Sequence, residues 1–172
     1  TAFGLDTPFG PHSNNIRQEQ TRPSSLRPTL QPEQIQTILE HTPPYWRTLV
    51  IFAAMTALRL GEILGLRWKD IDWDGHRLRV NHSVWRGRLM RPKTEASRKA
   101  LHIPEALLTI LQAHRERSVF TAAEDFVFCR ADGASADPDF LRKKVLYPAM
   151  DAAGIERFAR SHGFHIFRHS AA

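Results

Sequence analysis

The stretch Thr56–Asp72, TALRLGEILGLRWKDID, decides how the rest of the chain is read. It continues PYWRTLVIFAAM, and together the two segments predict a buried helix followed by a second, with a bend around Thr56 to Leu60. One guanidinium, Arg59, interrupts this apolar run. On one reading its stem packs along a helix while its head reaches water. On the other, Arg59 points into a cleft to meet an anion. Glu62, one turn later, is placed either to orient a basic group or to form an ordinary pair along a helix.

Working outward, residues 1–31 are rich in Pro, Ser, Asn, Gln and Arg and show no sustained period, so they are expected to form a linker or arm. The domain is expected over 32–172. Pro32 and Glu33 suit a first helical turn, and Ile35, Ile38 and Leu39 follow at helical spacing. After Asp72 the period changes. HRLRVNHSV, GRLMRP and RKALHIP alternate roughly every second residue around the turn-like WRG and KTEAS, which predicts a three-stranded antiparallel sheet. Helical patterns return in PEALLTILQAHRERS, opened by Pro104 and Glu105. They return again in PDFLRKKVLYPAMDAAG, where Pro148 is expected to kink or break the helix and Gly154 to cap it. HGFHIFRHSAA begins a last helix. The fold class expected is mainly α with a small antiparallel sheet.

The 172 residues suffice for one domain with a sizeable core, and 24 Lys+Arg against 18 Asp+Glu give a net charge of +6, which favours a polyanionic partner. The single Cys129 excludes an intramolecular disulfide, and neither a signal peptide nor a membrane-length apolar run is visible. A soluble, reducing, cytoplasmic setting is the expectation.

Three places concentrate basic groups: Arg59; Lys93 in the turn RPKTEASRKA; and His165 with Arg168 in HGFHIFRH. Each has a plain reading as a packed or solvated side chain. His162, His165 and His169 could also share a helix face as metal ligands, but Gly163 interrupts them and no Cys or carboxylate stands close by, so no metal is expected. Trp68, Trp73 and Trp85 are expected to pack in the core and the hairpin in preference to stacking on bases.

In their order these segments resemble the catalytic domain of the tyrosine recombinase (phage integrase) family. TALRLGEILGLRWKDID is similar to the family's T-G-L-R-x-G-E-L-x-x-L-x-W-x-D-I-D, with Ala57 where glycine is usual. KTEASRK is similar to K-T-x-x-S-x-R, and HIFRHS to H-x-L-R-H-T, with Phe167 for Leu and Ser170 for Thr. The resemblance covers roughly residues 30–172. It implies site-specific recombination of duplex DNA: strand cleavage and rejoining through a 3′-phosphotyrosyl intermediate, without metal or nucleotide, by a homotetramer on DNA. It implies catalytic roles for Arg59, Lys93, His165 and Arg168, with Glu62 in support. The chemistry agrees, because guanidinium forks offset charge on non-bridging phosphate oxygens, a lysine can protonate the departing 5′-oxygen, and a histidine can move a proton near neutral pH.

The family's nucleophilic tyrosine lies downstream of the H-x-x-R pair. Tyr45 and Tyr147 stand upstream and are expected to be packing residues. The sequence is therefore read as a catalytic domain that stops before its tyrosine, inactive in cleavage by itself. The competing expectation is a non-catalytic DNA-binding or regulatory module.

Overall fold

The computed structural model describes residues 29–90, 99–156 and 163–170. Helix α1 (Pro32–His41) starts where Pro32 pre-sets the first turn and the Gln31 N–H donates to Gln34 Oε1 at 2.9 Å. Its Ile38 is fully buried. Pro43 and Pro44 end one helix and begin the next, α2 (Pro44–Thr56), which buries Leu49, Val50, Phe52 and Ala53. Ala57 then turns the chain through the left-handed region, φ 52°, into α3 (Leu60–Leu64). The bend expected between Thr56 and Leu60 is present, and Arg59 sits at the start of α3, outside the helix proper.

The antiparallel sheet has three strands as expected, but Ile71–Asp72 takes the place expected for GRLMRP. Strands β1 (Ile71–Asp72), β2 (Arg77–Val80) and β5 (Lys99–His102) form it in the order β1-β2-β5, with Ile71 opposite Leu78 and Leu78 opposite Leu101. Ser83–Trp85 (β3) and Arg88–Met90 (β4) pair separately as a hairpin. The reason lies at Asn81, whose side-chain amide donates to Asp70 Oδ1 at 2.8 Å and holds the chain where it leaves β2. Strand β3 is thereby free to seat on α3. Asp70 is buried, and its other oxygen accepts the Arg67 N–H at 2.9 Å, so WKDID forms a 3-10 turn and an edge strand.

Helix α4 (Glu105–Glu116) buries Leu107, Leu108, Leu111 and His114. The last long helical run spans α5 (Pro138–Phe140), a π-helical segment (Leu141–Leu146) and α6 (Tyr147–Ala152). Pro148 does not break it. The widened π turn immediately before Pro148 absorbs the missing donor and the ring's bulk, and the helix continues. Gly154, φ 69°, ends it: its N–H donates to Asp151 O at 3.1 Å and the Ile155 N–H to Met150 O at 2.9 Å, closing a Schellman motif. Helix α7 (His165–Ser170) buries Ile166 and Phe167.

One core joins these elements, with α1 against α6, α2 against α4 and α7, and α3 against β3. Leu30 belongs to it, and its N–H donates to Ser170 Oγ at 2.6 Å, tying the start of the described chain to α7. Among the described residues no helix is long and apolar enough to cross a membrane.

Candidate functional site

Arg59 has extended backbone angles, φ −70° and ψ 145°, and its carbonyl accepts the Ile63 N–H at 3.0 Å, which starts α3. Glu62 closes the turn from the other side. Its Oε2 accepts the Arg59 N–H at 2.9 Å and its Oε1 lies 3.4 Å from Arg59 Nη1. The carboxylate is largely covered, 16% exposed, whereas the Arg59 side chain is 58% exposed. Neither sequence reading describes this placement fully: Arg59 does not snorkel from mid-helix, and it is held at a helix start with its head in solvent. A guanidinium loosely paired at 3.4 Å retains donors for an incoming oxyanion.

Sequence reasoning missed what seats this helix. Gly61 and Gly65, four apart, lie against the backbone of β3 and the residue before it. A Cβ on Gly61 would sit 2.5 Å from Val84 O; one on Gly65 would sit 2.7 Å from His82 C and 2.9 Å from Ser83 Cα. The i, i+4 glycine spacing in RLGEILGL was the available signal. It lets a strand approach the helix backbone directly, which fixes the β3–β4 hairpin relative to Arg59.

His165 and Arg168 share α7, His165 exposed and Arg168 half-buried. Among the described residues neither is held by a side-chain hydrogen bond or ion pair. The structure relates them to Arg59 through α2, which packs against α7 and whose end turns through Ala57 toward Arg59. Lys93 lies outside the described residues, as do His162 and the side chain of His169. Among the described residues no group of three His, Cys, Asp or Glu is arranged to hold a metal ion.

Of the two tyrosines Tyr147 packs as expected, whereas Tyr45 is 41% exposed and is engaged at its hydroxyl end and a ring edge. Tyr45 donates its hydroxyl to Cys129 O at 2.9 Å and meets Trp46 edge to face at 4.7 Å. Burial, reinforced by its contact with Cys129, pushes the phenol well above its ordinary value, so it stays protonated. Tyr147 is half-buried against the core. Trp68 is buried, donates its indole N–H to Phe120 O at 3.0 Å and stacks on Trp73 at 6.4 Å, with the Arg115 guanidinium over both rings. Trp85 departs from the packing expectation: it stands on the hairpin 60% exposed.

Among the described residues, several cations are drawn into ion pairs with nearby carboxylates. Arg67 and Lys69 share Glu124, whose carboxyl their hydrogen bonds hold below its ordinary value; Arg130 pairs with Asp132, and Arg142 with Asp139 at 2.8 Å.

Comparison with known proteins adds a family to this geometry. The model of the phage integrase family matches residues 28–172. A putative prophage phiRv2 integrase of Mycobacterium tuberculosis (strain H37Rv) is 29% identical over 144 residues, covering 80% of this chain and 36% of that protein. A putative integrase/recombinase y4gC of Sinorhizobium fredii is 33% identical over 150 residues, covering 83% of this chain and 72% of that protein. Among solved structures, the Tn1549 transposon integrase in complex with transposon right end DNA superposes with a TM-score of 0.70 at 17% identity, over 87% of this chain and 53% of that one. XerA recombinase superposes with a TM-score of 0.66 at 17% identity, over 89% of this chain and 51% of that one. The chain thus spans about a third of the length of the prophage integrase and about half of these structures. The structural matches bear on the fold, mainly helical with a small antiparallel sheet.

Proposed function

Because the chain belongs to the phage integrase family, we propose that it forms the phosphate-holding part of a site-specific recombinase, which cuts and rejoins duplex DNA through a 3′-phosphotyrosyl intermediate. Arg59 and Arg168 clamp the non-bridging oxygens of the scissile phosphate, Lys93 protonates the departing 5′-oxygen, and His165 exchanges a proton or holds a phosphate oxygen. Glu62 orients Arg59. The nucleophile is a tyrosine downstream of Arg168, since the Tyr45 hydroxyl is committed to Cys129 O. The reaction needs neither metal nor nucleotide and proceeds in a homotetramer on DNA in the cytoplasm.

The observation that carries this reading is the placement of Arg59: a backbone-anchored guanidinium, exposed and only loosely paired, at a helix start built by Glu62. In the natural gene product, Arg59→Ala and Arg168→Ala each lower strand cleavage by about 10²–10³-fold while duplex binding changes modestly. Cleavage that persisted in either variant would remove that residue from the clamp. Lys93→Ala is rescued by a substrate with a 5′-bridging phosphorothiolate, whose leaving group needs no proton. Absence of rescue returns Lys93 to a solvated turn.

A further inference from the structure

We propose that the β3–β4 hairpin is a second DNA-backbone contact, which lays Arg86 and Arg88 on phosphates beside the one held by Arg59. The inference rests on the recombinase reading above and extends it to residues outside the three matched motifs. Between Asp74 and Glu95 the chain has no carboxylate, yet it carries Arg77, Arg79, Arg86 and Arg88 on the described strands and turn. All four are exposed. Among the described residues none of the four is ion-paired, which is equally true of Arg47, Arg115, Arg117 and Lys144; what sets the four apart is their concentration in a stretch without carboxylates.

Turn chemistry makes Arg86 conspicuous. The two-residue loop Arg86-Gly87 has positive φ at both positions, 48° and 71°, as the tight turns that suit a twisted hairpin require. Asn or Gly takes the first of these positions with little strain; arginine does not. A cation is held there at a cost to the fold, and its guanidinium lies 4.6 Å from the ring centroid of exposed Trp85, which limits its freedom before any partner arrives. Gly61 and Gly65 lock the hairpin to the helix that Arg59 begins. A rigid set of unpaired cations with one broad aromatic face matches a regularly charged polyanion, and here that polyanion is the duplex flanking the cleavage point.

The test is equilibrium binding of the purified chain to labelled duplex DNA across a KCl series. It compares the native chain with Arg86→Asn/Arg88→Ser, Arg59→Ala and, as a control at the end of α4, Arg117→Ser. Asn suits the turn, so the double variant melts at or above the native temperature. Its affinity falls roughly tenfold near 0.1 M salt, and the slope of log K against log [salt] loses about 1.8, or about 0.9 per phosphate contact. Arg117→Ser leaves both unchanged. A native slope in the double variant, with binding still weakened by Arg59→Ala, overturns the hairpin proposal and leaves the recombinase reading standing. No binding by the native chain at low salt overturns both. Loss of binding to polyglutamate in place of DNA assigns the hairpin to an acidic protein surface and also overturns the proposal.

Discussion

Replacing Gly61 by alanine tests the seat of Arg59 directly. Helix propensity alone favours the change, by up to about 1 kcal/mol for an interior position. The new Cβ, however, would lie 2.5 Å from Val84 O, about 0.9 Å inside ordinary contact, and the obstacle is main chain. Strand β3 cannot rotate a side chain out of the way, and Val84 is paired with Leu89 of β4, so the hairpin must move as a unit. Overpacking of this kind costs about 1–3 kcal/mol. With up to about 1 kcal/mol of propensity gain subtracted, the net loss is about 0–2 kcal/mol, and at about 2–4 °C per kcal/mol for a chain of this size the melting temperature drops by up to about 8 °C. Gly65→Ala meets the same segment, at His82 and Ser83. The double variant therefore loses less than the sum of the two, because the first methyl has already displaced the strand. Thermal unfolding followed by far-ultraviolet circular dichroism, with urea titration for the free energies, reads both effects. A rise in melting temperature for Gly61→Ala, or strict additivity of the pair, would refute the close helix–strand approach on which the placement of the hairpin rests.

Two further outcomes follow from backbone and burial. Ala57 adopts φ 52°, so Ala57→Gly removes strain of about 1 kcal/mol, partly offset by greater freedom of the unfolded chain, and raises the melting temperature by a degree or more; a fall would show that the left-handed turn is not formed. His114 is buried, its ring nitrogen meets Val127 O at 2.9 Å, and burial lowers its pKa below the ordinary value. The unfolded chain therefore takes up the proton first. Stability is fully present above the ordinary histidine pKa of about 6.5 and is lost as pH falls below it toward the folded-state pKa, by at most about 1.4 kcal/mol per pH unit. Urea titrations between pH 5 and 8 show a shallower fall in His114→Phe than in the native chain; identical slopes would remove His114 as the source.

How far the site was legible depended on the range of the interaction. The helix start at Pro32, the bend after Thr56 and the cap at Gly154 are local, written by residues within one turn of where they act. The motif containing Arg59 was legible as a motif, and its usual glycine at the position of Ala57 is explained by the positive φ found there. The sheet was less legible. The turn at WRG was legible, since Arg88–Met90 pairs back on Ser83–Trp85 across it, but a period of two does not show where a strand breaks: HRLRVNHSV was expected as one strand and divides at Asn81–His82, which leaves that hairpin outside the three-stranded sheet. Pro148 was legible as a disturbance of the helix but not as which kind: whether a missing donor breaks a helix depends on whether the preceding turn can widen, and the π segment does.

By itself, then, the sequence determined a mainly helical domain with a small antiparallel sheet, a basic character and the order of the motifs that mark the family. These rest on composition and on contacts a few residues long. Only the tertiary structure decided that Arg59 stands at a helix start with an exposed head, that Gly61 and Gly65 seat that helix on β3, and that Asp70 and Asn81 divert the chain from the sheet into a separate hairpin. The last two join parts of the chain some ten to twenty-five residues apart and depend on how closely distant segments approach, a quantity that no local pattern of residues encodes.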